Sequence, residues 1–311
     1  MELAIVVPCF NEEKALPETA SRLVALLTEL EAKNKIAPSS RIYFVDDGSG
    51  DRTWEVIEGL TRLSEPVRGI KLSRNRGHQN ALLAGLLTVS GEVLISLDAD
   101  LQDDPGVIES MLDEHRKGSD VVYGVRRTRE TDGFFKKLTA LTFYRLMRAM
   151  GVELVENHAD FRLLSRRAVE ALRQFPETNL FLRGLVPLIG YPASSVYYDR
   201  RSRLAGHTKY PLLKMLGFAF DGFTSFSVVP LRLIFLLGLF TFLATVGLSI
   251  WVVVIRFLTD RAVPGWASTV LPIYFIGGVQ IVCVGVIGEY LGRIYAEVKA
   301  RPRYVIEKRT S

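Results

Sequence analysis

The fold is decided by residues 92–105, EVLISLDADLQDDP. Its first part, Glu92–Leu97, is a short apolar run typical of a buried strand, and Asp98 and Asp100 follow directly. An Asp-x-Asp turn presents two hard oxygen ligands, which suit Mg²⁺ or Mn²⁺ shared with phosphate oxygens. An isolated acidic turn is usually only solvated, so this interpretation depends on the rest of the chain.

Four more apolar runs of strand length alternate with segments of helical spacing in the first half of the chain. They are Leu3–Val7, Arg41–Val45, Val67–Leu72 and Asp120–Gly124. This alternation predicts an α/β domain with a Rossmann-like, mostly parallel sheet covered on both faces. Ligands bind beyond the carboxyl ends of the strands in such sheets, so we expect chemistry directly after each run.

Charged side chains do follow these runs. Asn11–Glu13 comes after the first, Asp46 and Asp47 after the second, and Arg126 after the fifth. The first two sets have a plainer interpretation, because Asp-Gly-Ser is good turn chemistry and Asn or Glu can cap a helix. For the first two sets the sequence leaves both interpretations open.

The last third of the chain has the composition of a membrane anchor. Residues 233–255 and 267–287 carry no charge, and each run is long enough to cross a hydrocarbon core of about 30 Å. We therefore predict two transmembrane helices there, preceded by an interfacial amphipathic helix region at 211–232. The catalytic domain would occupy 1–210, and 288–311 would form a basic cytoplasmic tail.

Charge predicts the orientation and the partners. The N-terminus has no basic region and its apolar run is too short for a signal peptide, and basic residues cluster after the second span. Both termini and the catalytic domain are expected on the cytoplasmic side of a bacterial inner membrane. With a net charge of +5, the chain is expected to bind anionic lipid headgroups rather than nucleic acid. Small residues in the second span, such as Gly277 and Gly278, offer surfaces for a homo-oligomer.

Five ordered motifs carry a family resemblance. They are VVPCFNEE, VDDGSGDRT, LDADLQDDP, DFRLLSR and RLAGHTKY. Together they resemble the inverting family-two glycosyltransferases of GT-A fold, and in particular the polyisoprenyl-phosphate hexosyltransferases. Within that group, which includes dolichol-phosphate mannose synthase, the two C-terminal spans make the chain most similar to the phage and bacterial bactoprenol glucosyltransferases.

The resemblance implies a role for individual residues. The nucleotide-sugar would be bound by Pro8, Phe10, Glu12, Val45, Asp47 and Asp98. The metal would be held by Asp98, Asp100 and Gln102. Catalysis would fall to Asp160, Asp100 and Arg126, with the role of Asp160 left open between a base and an electrostatic stabiliser. The lipid phosphate would meet Arg129, Arg162, Arg203 and Lys209.

The implied reaction transfers a hexose, most simply glucose from UDP-glucose, with inversion onto undecaprenyl (bactoprenyl) phosphate. The lipid-linked sugar would serve the modification of cell-surface polysaccharide such as O-antigen. Mannose or a modified arabinose is the alternative donor sugar. Outside catalysis, the alternative is a membrane lipid-binding scaffold or a flippase. A processive synthase is disfavoured because residues 179–184 read NLFLRG, without the tryptophan of a Gln-x-x-Arg-Trp motif.

Overall fold

A computed structural model describes residues 1–127, 158–177, 180–199, parts of 234–251, and 266–310. Three of the cations predicted to meet the lipid phosphate, Arg129, Arg203 and Lys209, lie outside the described residues, as does the interfacial segment 211–232.

The described part of the chain alternates strands and helices, as predicted. The strands are β1 Leu3–Cys9, β2 Arg41–Asp46, β3 Val67–Leu72, β4 Val93–Ser96, β5 Val121–Arg126, β6 His158–Ser165, β7 Ala193–Tyr198 and β8 Ile306–Arg309. The helices are α1 Leu16–Ala32, α2 Thr53–Leu63, α3 His78–Thr88, α4 Val107–Arg116, α5 Arg166–Arg173, α6 Leu182–Leu188 and α7 Trp266–Val298. The five predicted strands correspond to β1–β5, with ends that differ by two residues or fewer.

All eight strands form one sheet in the order β7-β5-β6-β4-β1-β2-β3-β8. The pairs β1–β2, β1–β4, β2–β3 and β5–β7 are parallel. Strand β6 is antiparallel to both β4 and β5, and β8 is antiparallel to β3. The amino end of β6 therefore lies at the same edge of the sheet as the carboxyl ends of β1, β2, β4 and β5.

Close packing of α3 fixes the centre of the sheet. Strand β1 is buried along its whole length, which explains its continuous apolar sequence. A Cβ atom on Gly85 of α3 would lie 2.3 Å from Val6 Cγ1 and 2.9 Å from Val45 Cγ2. Only glycine fits there, so α3 approaches β1 and β2 more closely than a helix with a larger residue at this position.

The chain divides into two units, the larger of which comprises 1–149, 153–211 and 300–311. The C-terminal residues belong to this unit because β8 joins the sheet edge and Thr310 Oγ1 accepts a 2.7 Å hydrogen bond from Gly69 N. The segment predicted as a basic cytoplasmic tail, 288–311, contains regular structure: helix α7 continues to Val298, and Ile306–Arg309 is a strand of the sheet.

The second unit comprises 150–152 and 212–299. The described residues include one helix long and apolar enough to cross a membrane, Phe275–Val298, with a mean hydropathy of 1.6. The described residues between 234 and 251 are also helical, and large apolar side chains such as Phe240 and Trp251 are exposed. The two-span arrangement stays a prediction.

Candidate active site

Asp98 and Asp100 lie just beyond β4, as the sequence predicts. The carboxylate of Asp98 is half-buried, and its Oδ1 atom is fully buried without a hydrogen-bond partner. Asp100 Oδ1 accepts a 3.2 Å hydrogen bond from Gln102 N, which closes the turn. Leu101, the buried residue between Asp100 and Gln102, has φ +50°, a left-handed conformation that costs a non-glycine residue on the order of 1 kcal/mol. The turn is therefore held in one specific shape by its surroundings.

The surroundings of this turn include Arg126, which was predicted as a catalytic residue. Its guanidinium is paired with Asp103 instead, through Nε to Oδ1 at 2.9 Å and Nη2 to Oδ2 at 3.0 Å. Tyr198 on β7 also donates to Asp103 Oδ1 at 2.6 Å. Asp103 is 1% exposed, so burying its charge requires such partners. The structure thus places Arg126 as the anchor of the acidic turn, and its contact with substrate stays a prediction.

Asp47 lies at the carboxyl end of β2 and binds the backbone. Its two carboxylate oxygens accept from Arg76 N at 2.7 Å and Gly77 N at 2.8 Å. Burial raises the pKa of Asp47, and the two N–H groups counter part of that effect. Each oxygen keeps a second lone pair, so Asp47 orders the loop before α3 and retains the capacity to accept from a nucleobase.

The loop after β1 is joined to the loop after β2 by hydrogen bonds. Asn11 N donates to Ser49 Oγ at 2.9 Å, and Asn11 Oδ1 accepts from Gly50 N at 2.9 Å. Glu12 N donates to Thr53 Oγ1 at 2.9 Å. Helix α1 begins at Leu16 with no side-chain cap, so the interpretation of Asn11–Glu13 as helix caps is wrong.

Two residues predicted to line the nucleoside pocket are core residues. Pro8 and Val45 are opposite each other in the β1–β2 register, and both are buried. Val45 packs under α3 beside Gly85, so its side chain does not face the sheet edge. Phe10, by contrast, is 46% exposed just beyond β1 and is available to a ligand.

Asp160 is at the amino end of β6, which brings it to the same edge as Asp98. Two arginines and a histidine surround its carboxylate. Arg162 Nη2 lies 2.5 Å from Oδ1, and Arg183 approaches through Nε and Nη2, each at 3.3 Å. Burial alone would raise the pKa of Asp160, but His78, Arg162 and Arg183 outweigh it and hold this pKa well below its usual range. Asp160 is therefore a stably ionised carboxylate.

The structure places Arg162 away from the surface where a lipid phosphate would arrive. It is 1% exposed, and its Nη1 donates to Leu182 O at 3.2 Å while Nη2 binds Asp160. The prediction of Arg162 as a lipid-phosphate ligand is therefore not supported by its position, because a fully buried guanidinium cannot reach a lipid headgroup. Of the two arginines beside Asp160 among the described residues, Arg183 is the accessible one, with 43% of its side chain exposed.

His78 connects the two acidic positions. It is the first residue of α3, and its Nε2 lies 3.5 Å from Asp98 Oδ1 and 3.6 Å from Asp160 Oδ2. Burial lowers the pKa of His78, but the hydrogen bond to Asp160 and the charges of both carboxylates outweigh it and raise this pKa. Next to it, Gln79 Nε2 donates to Asp160 Oδ2 at 3.2 Å.

His78, Gln79 and Arg183 were not among the site residues predicted from the sequence. The signal for the first two was present, because they open the helix that follows β3 after the loop 73–77, and the rule that chemistry lies beyond the carboxyl end of a strand applies there too. Arg183 carried no such signal, because it lies in the first turn of the short helix α6.

The residues at this edge fit a divalent cation shared with a ligand. No group of three His, Cys, Asp or Glu side chains converges as a complete metal cage within the described residues. Mg²⁺ is, however, commonly held by one or two carboxylates together with waters and phosphate oxygens. The buried Oδ1 of Asp98, which accepts no hydrogen bond, and the nearby Asp100 provide such a pair. Gln102, predicted as a third ligand, is only 3% exposed.

Comparison with known proteins identifies the family. Residues 4–173 match the model described as glycosyl transferase family 2. This chain belongs to glycosyl transferase family 2. The prediction of a glycosyltransferase is therefore confirmed, and so is the α/β, GT-A-like domain with a mostly parallel sheet.

Relatives match over nearly the whole chain. An uncharacterized glycosyltransferase of Bacillus subtilis is 51% identical over 309 residues, which cover 98% of this chain and 91% of the relative. A bactoprenol glucosyl transferase of Shigella phage SfII is 38% identical over 309 residues, with 99% and 98% covered. The resemblance to bactoprenol glucosyltransferases is thereby confirmed.

Among solved structures, the chain is similar to glucosyl-3-phosphoglycerate synthase from Mycobacterium tuberculosis in complex with Mn²⁺, UDP-glucose and phosphoglyceric acid. The TM-score is 0.48 with 17% identity, and the match covers 72% of this chain and 78% of the other.

Proposed function

We propose that this family-two glycosyltransferase transfers a hexose from a nucleoside diphosphate sugar, most simply UDP-glucose, onto the phosphate of undecaprenyl (bactoprenyl) phosphate. The observation that carries the proposal is that Asp98 and Asp160 share one sheet edge, with His78 Nε2 at 3.5 Å from one and 3.6 Å from the other. A carboxylate suited to a metal and a carboxylate surrounded by cations thus flank the same position. The relatives named as bactoprenol glucosyl transferases support the choice of acceptor.

The donor would bind beyond β1, β2 and β4. Phe10 and Asp47 would face the nucleoside, while Asp98 and Asp100 would hold Mg²⁺ or Mn²⁺ on the diphosphate. A bound metal would supply positive charge for the departing nucleoside diphosphate. The buried Oδ1 of Asp98 supports this assignment. It lies 3.5 Å from His78 Nε2 but accepts no hydrogen bond, and a buried carboxylate oxygen without a hydrogen bond is costly unless a cation or donor binds it.

The acceptor would approach from the side of Asp160 and Arg183. A phosphate oxygen forms the new bond to the anomeric carbon as the bond to the diphosphate oxygen breaks on the opposite face, which inverts the centre. The transition state has oxocarbenium character. An ionised phosphate needs little help from a base, and the lowered pKa of Asp160 makes it a weak one. We therefore assign Asp160 to stabilising positive charge on the sugar ring and orienting Arg183 towards the incoming phosphate.

We also propose where the enzyme acts in the cell. Arg203 and Lys209 precede the interfacial segment in sequence and would meet the lipid phosphate just above the bilayer. The enzyme would act at the cytoplasmic face of the bacterial inner membrane, and its lipid-linked product would supply O-antigen modification.

The test is a donor panel with the purified full chain in lipid nanodiscs. UDP-glucose, GDP-mannose and a nucleotide-linked modified arabinose would each be incubated with undecaprenyl phosphate and Mn²⁺, next to a control without undecaprenyl phosphate, and the lipid fraction read by mass spectrometry. We expect a hexosyl-phospholipid from UDP-glucose, its loss with EDTA, and an inverted anomeric centre by NMR. A product from GDP-mannose alone would transfer the assignment to a mannosyl donor. The proposal would be refuted if no donor, a modified arabinose included, gave a lipid-linked sugar.

A matched pair of variants separates the metal site from general damage to its loop. Asp100→Ala should abolish product formation. Asp104→Asn changes a carboxylate in the same loop, and the amide oxygen can still accept from Gly106 N as Asp104 Oδ1 does at 3.1 Å. We expect Asp104→Asn to retain the wild-type rate within about twofold. Equal loss in both variants would contradict a specific role for Asp100.

A further inference from the structure

We infer that Gln79 is a positioning residue of the transfer reaction, one that holds Asp160 and Arg183 in a fixed relation to each other. The inference deepens the proposed function and rests on the role given there to Asp160. Gln79 is the second residue of α3 and contacts Asp160, on the side of the site where the acceptor would arrive.

Gln79 makes two hydrogen bonds with its one side-chain amide. Its Nε2 donates to Asp160 Oδ2 at 3.2 Å, and its Oε1 accepts from Leu182 N at 3.1 Å. Only one orientation of the amide satisfies both contacts, because a carboxylate requires the NH₂ group and a backbone N–H requires the oxygen. Gln79 thus connects the amino end of β6 directly to the first residue of α6.

Arg162 makes the same connection from the other side. Its Nη2 lies 2.5 Å from Asp160 Oδ1, and its Nη1 donates to Leu182 O at 3.2 Å. Gln79, Asp160, Arg162 and Leu182 therefore form a closed ring of four hydrogen bonds. Both backbone polar groups of Leu182 are used in this ring, which fixes where α6 begins.

Arg183 follows Leu182 and receives its position from the ring. Its Nε and Nη2 each lie 3.3 Å from a carboxylate oxygen of Asp160, although 43% of its side chain is exposed. Such a half-exposed arginine has many accessible rotamers, and a fixed helix start with a fixed carboxylate reduces them. Because a misplaced charge stabilises a transition state poorly, loss of the ring should slow transfer without removing a substrate contact.

The geometry also predicts what Gln79 does not affect. Among the described residues, the hydrogen bonds of its side chain go to Asp160 and Leu182, and not to Asp47, Asp98 or Asp100 on the side where the donor would bind. A change at Gln79 should therefore alter kcat and leave the KM for the donor nearly unchanged. This separates Gln79 from its neighbour His78, which lies between both carboxylates.

The experiment compares Gln79→Leu in two backgrounds, wild type and Asp160→Asn. The full chain in nanodiscs would be assayed with radiolabelled UDP-glucose, undecaprenyl phosphate and Mn²⁺. In wild type we expect kcat to fall about 10- to 100-fold, as for loss of a hydrogen bond to a charged group, with the donor KM changed by less than about twofold. In the Asp160→Asn background Gln79→Leu should lower kcat by less than about twofold, because the partner it positions is already disabled.

Two further variants complete the design. Gln79→Glu keeps an acceptor for Leu182 N but removes the donor to Asp160, so it should lower kcat at least as much as Gln79→Leu and leave the unfolding temperature closer to wild type. Gln174→Leu makes the same chemical change at an exposed position, at the end of α5, and should leave kcat unchanged. Gln79→Glu therefore decides the question even if Gln79→Leu fails to fold.

The outcomes separate a failure of the role proposed for Asp160 from a failure of the inference about Gln79. Wild-type kcat in Asp160→Asn would refute the proposed role of Asp160. A strong effect of Asp160→Asn together with unchanged kcat in Gln79→Leu and Gln79→Glu would refute the inference about Gln79 alone. An equal loss from Gln79→Leu in both backgrounds, or a raised donor KM with unchanged kcat, would also overturn it.

Discussion

Asp98 and Asp160 are the same residue type at the same edge of one sheet, yet their surroundings are opposite. Asp98 follows a parallel strand among other carboxylates, with one buried oxygen that accepts no hydrogen bond. Asp160 begins an antiparallel strand and is surrounded by Arg162, Arg183 and His78. Burial and the neighbouring negative charges raise the pKa of Asp98 despite His78, whereas the cations lower that of Asp160.

This difference indicates how one edge can hold two functions. Asp98, whose pKa stays raised despite His78, is the carboxylate suited to a metal, because an added divalent charge relieves its unfavourable surroundings. The carboxylate with its own cations stays ionised without a metal. We therefore expect the two sides of the site to respond differently to metal, substitution and packing changes.

The largest expected effect comes from neutralising either carboxylate. Asp98→Asn and Asp160→Asn should each lower kcat about 10³-fold, since each removes a charge used in the transition state. Only Asp98→Asn should also raise the Mn²⁺ concentration needed for half-maximal rate. Rates measured across a Mn²⁺ titration check this, and equal metal responses in both variants would remove the distinction between the two sides.

The next effect is on stability. Arg162→Met keeps most of the side-chain volume but leaves Asp160 buried without its nearest cation, which should lower the free energy of unfolding by about 3 kcal/mol. The comparison variant is Arg22→Met, which breaks an exposed pair with Glu18 and should change stability by less than about 1 kcal/mol. Urea unfolding followed by circular dichroism measures both. Similar values for the two variants would show that Asp160 does not depend on Arg162.

Helix α3, which carries His78 between the two sides, should be sensitive to packing. Gly85→Ala places a methyl group 2.3 Å from Val6 Cγ1, so we expect a loss of about 2 kcal/mol as α3 is displaced from β1 and β2. Gly59→Ala on α2 meets no atom within 4 Å and should stabilise by about 0.5 kcal/mol through helix propensity. Thermal unfolding of both variants checks the sign. If Gly85→Ala were as stable as wild type, α3 could shift away from β1 and β2 without a loss in the free energy of unfolding.

The smallest expected effect concerns the connection between the two sides. His78→Asn removes the imidazole that lies between Asp98 and Asp160, and should lower kcat about 10-fold while also raising the donor KM. Steady-state kinetics over a range of donor concentration tests this. A change in kcat alone would assign His78 to the side of Asp160, and a change in KM alone to the side of Asp98.

Much of this organisation could be predicted from local sequence. Strands β1 to β5 have continuous apolar runs, and the carboxyl ends of parallel strands meet at one edge, so Asp47, Asp98 and Asp100 were placed correctly. The same rule applied to β3 would have found His78 and Gln79. The roles of Pro8, Val45, Arg126 and Arg162 were harder, because a residue's type does not tell whether it is exposed to a ligand or paired inside the domain.

The sequence by itself determined the family, the parallel core of the sheet and the acidic turn after β4, because each depends on residues adjacent in the chain. The tertiary structure alone decided that β6 runs antiparallel, which brings Asp160 to the edge where Asp98 lies. It also decided that Arg162 and Arg126 are paired with carboxylates, and that Ile306–Arg309 returns to the sheet beside β3. These features depend on contacts between residues far apart in sequence, and their energy comes from burial and charge pairing that no local pattern encodes.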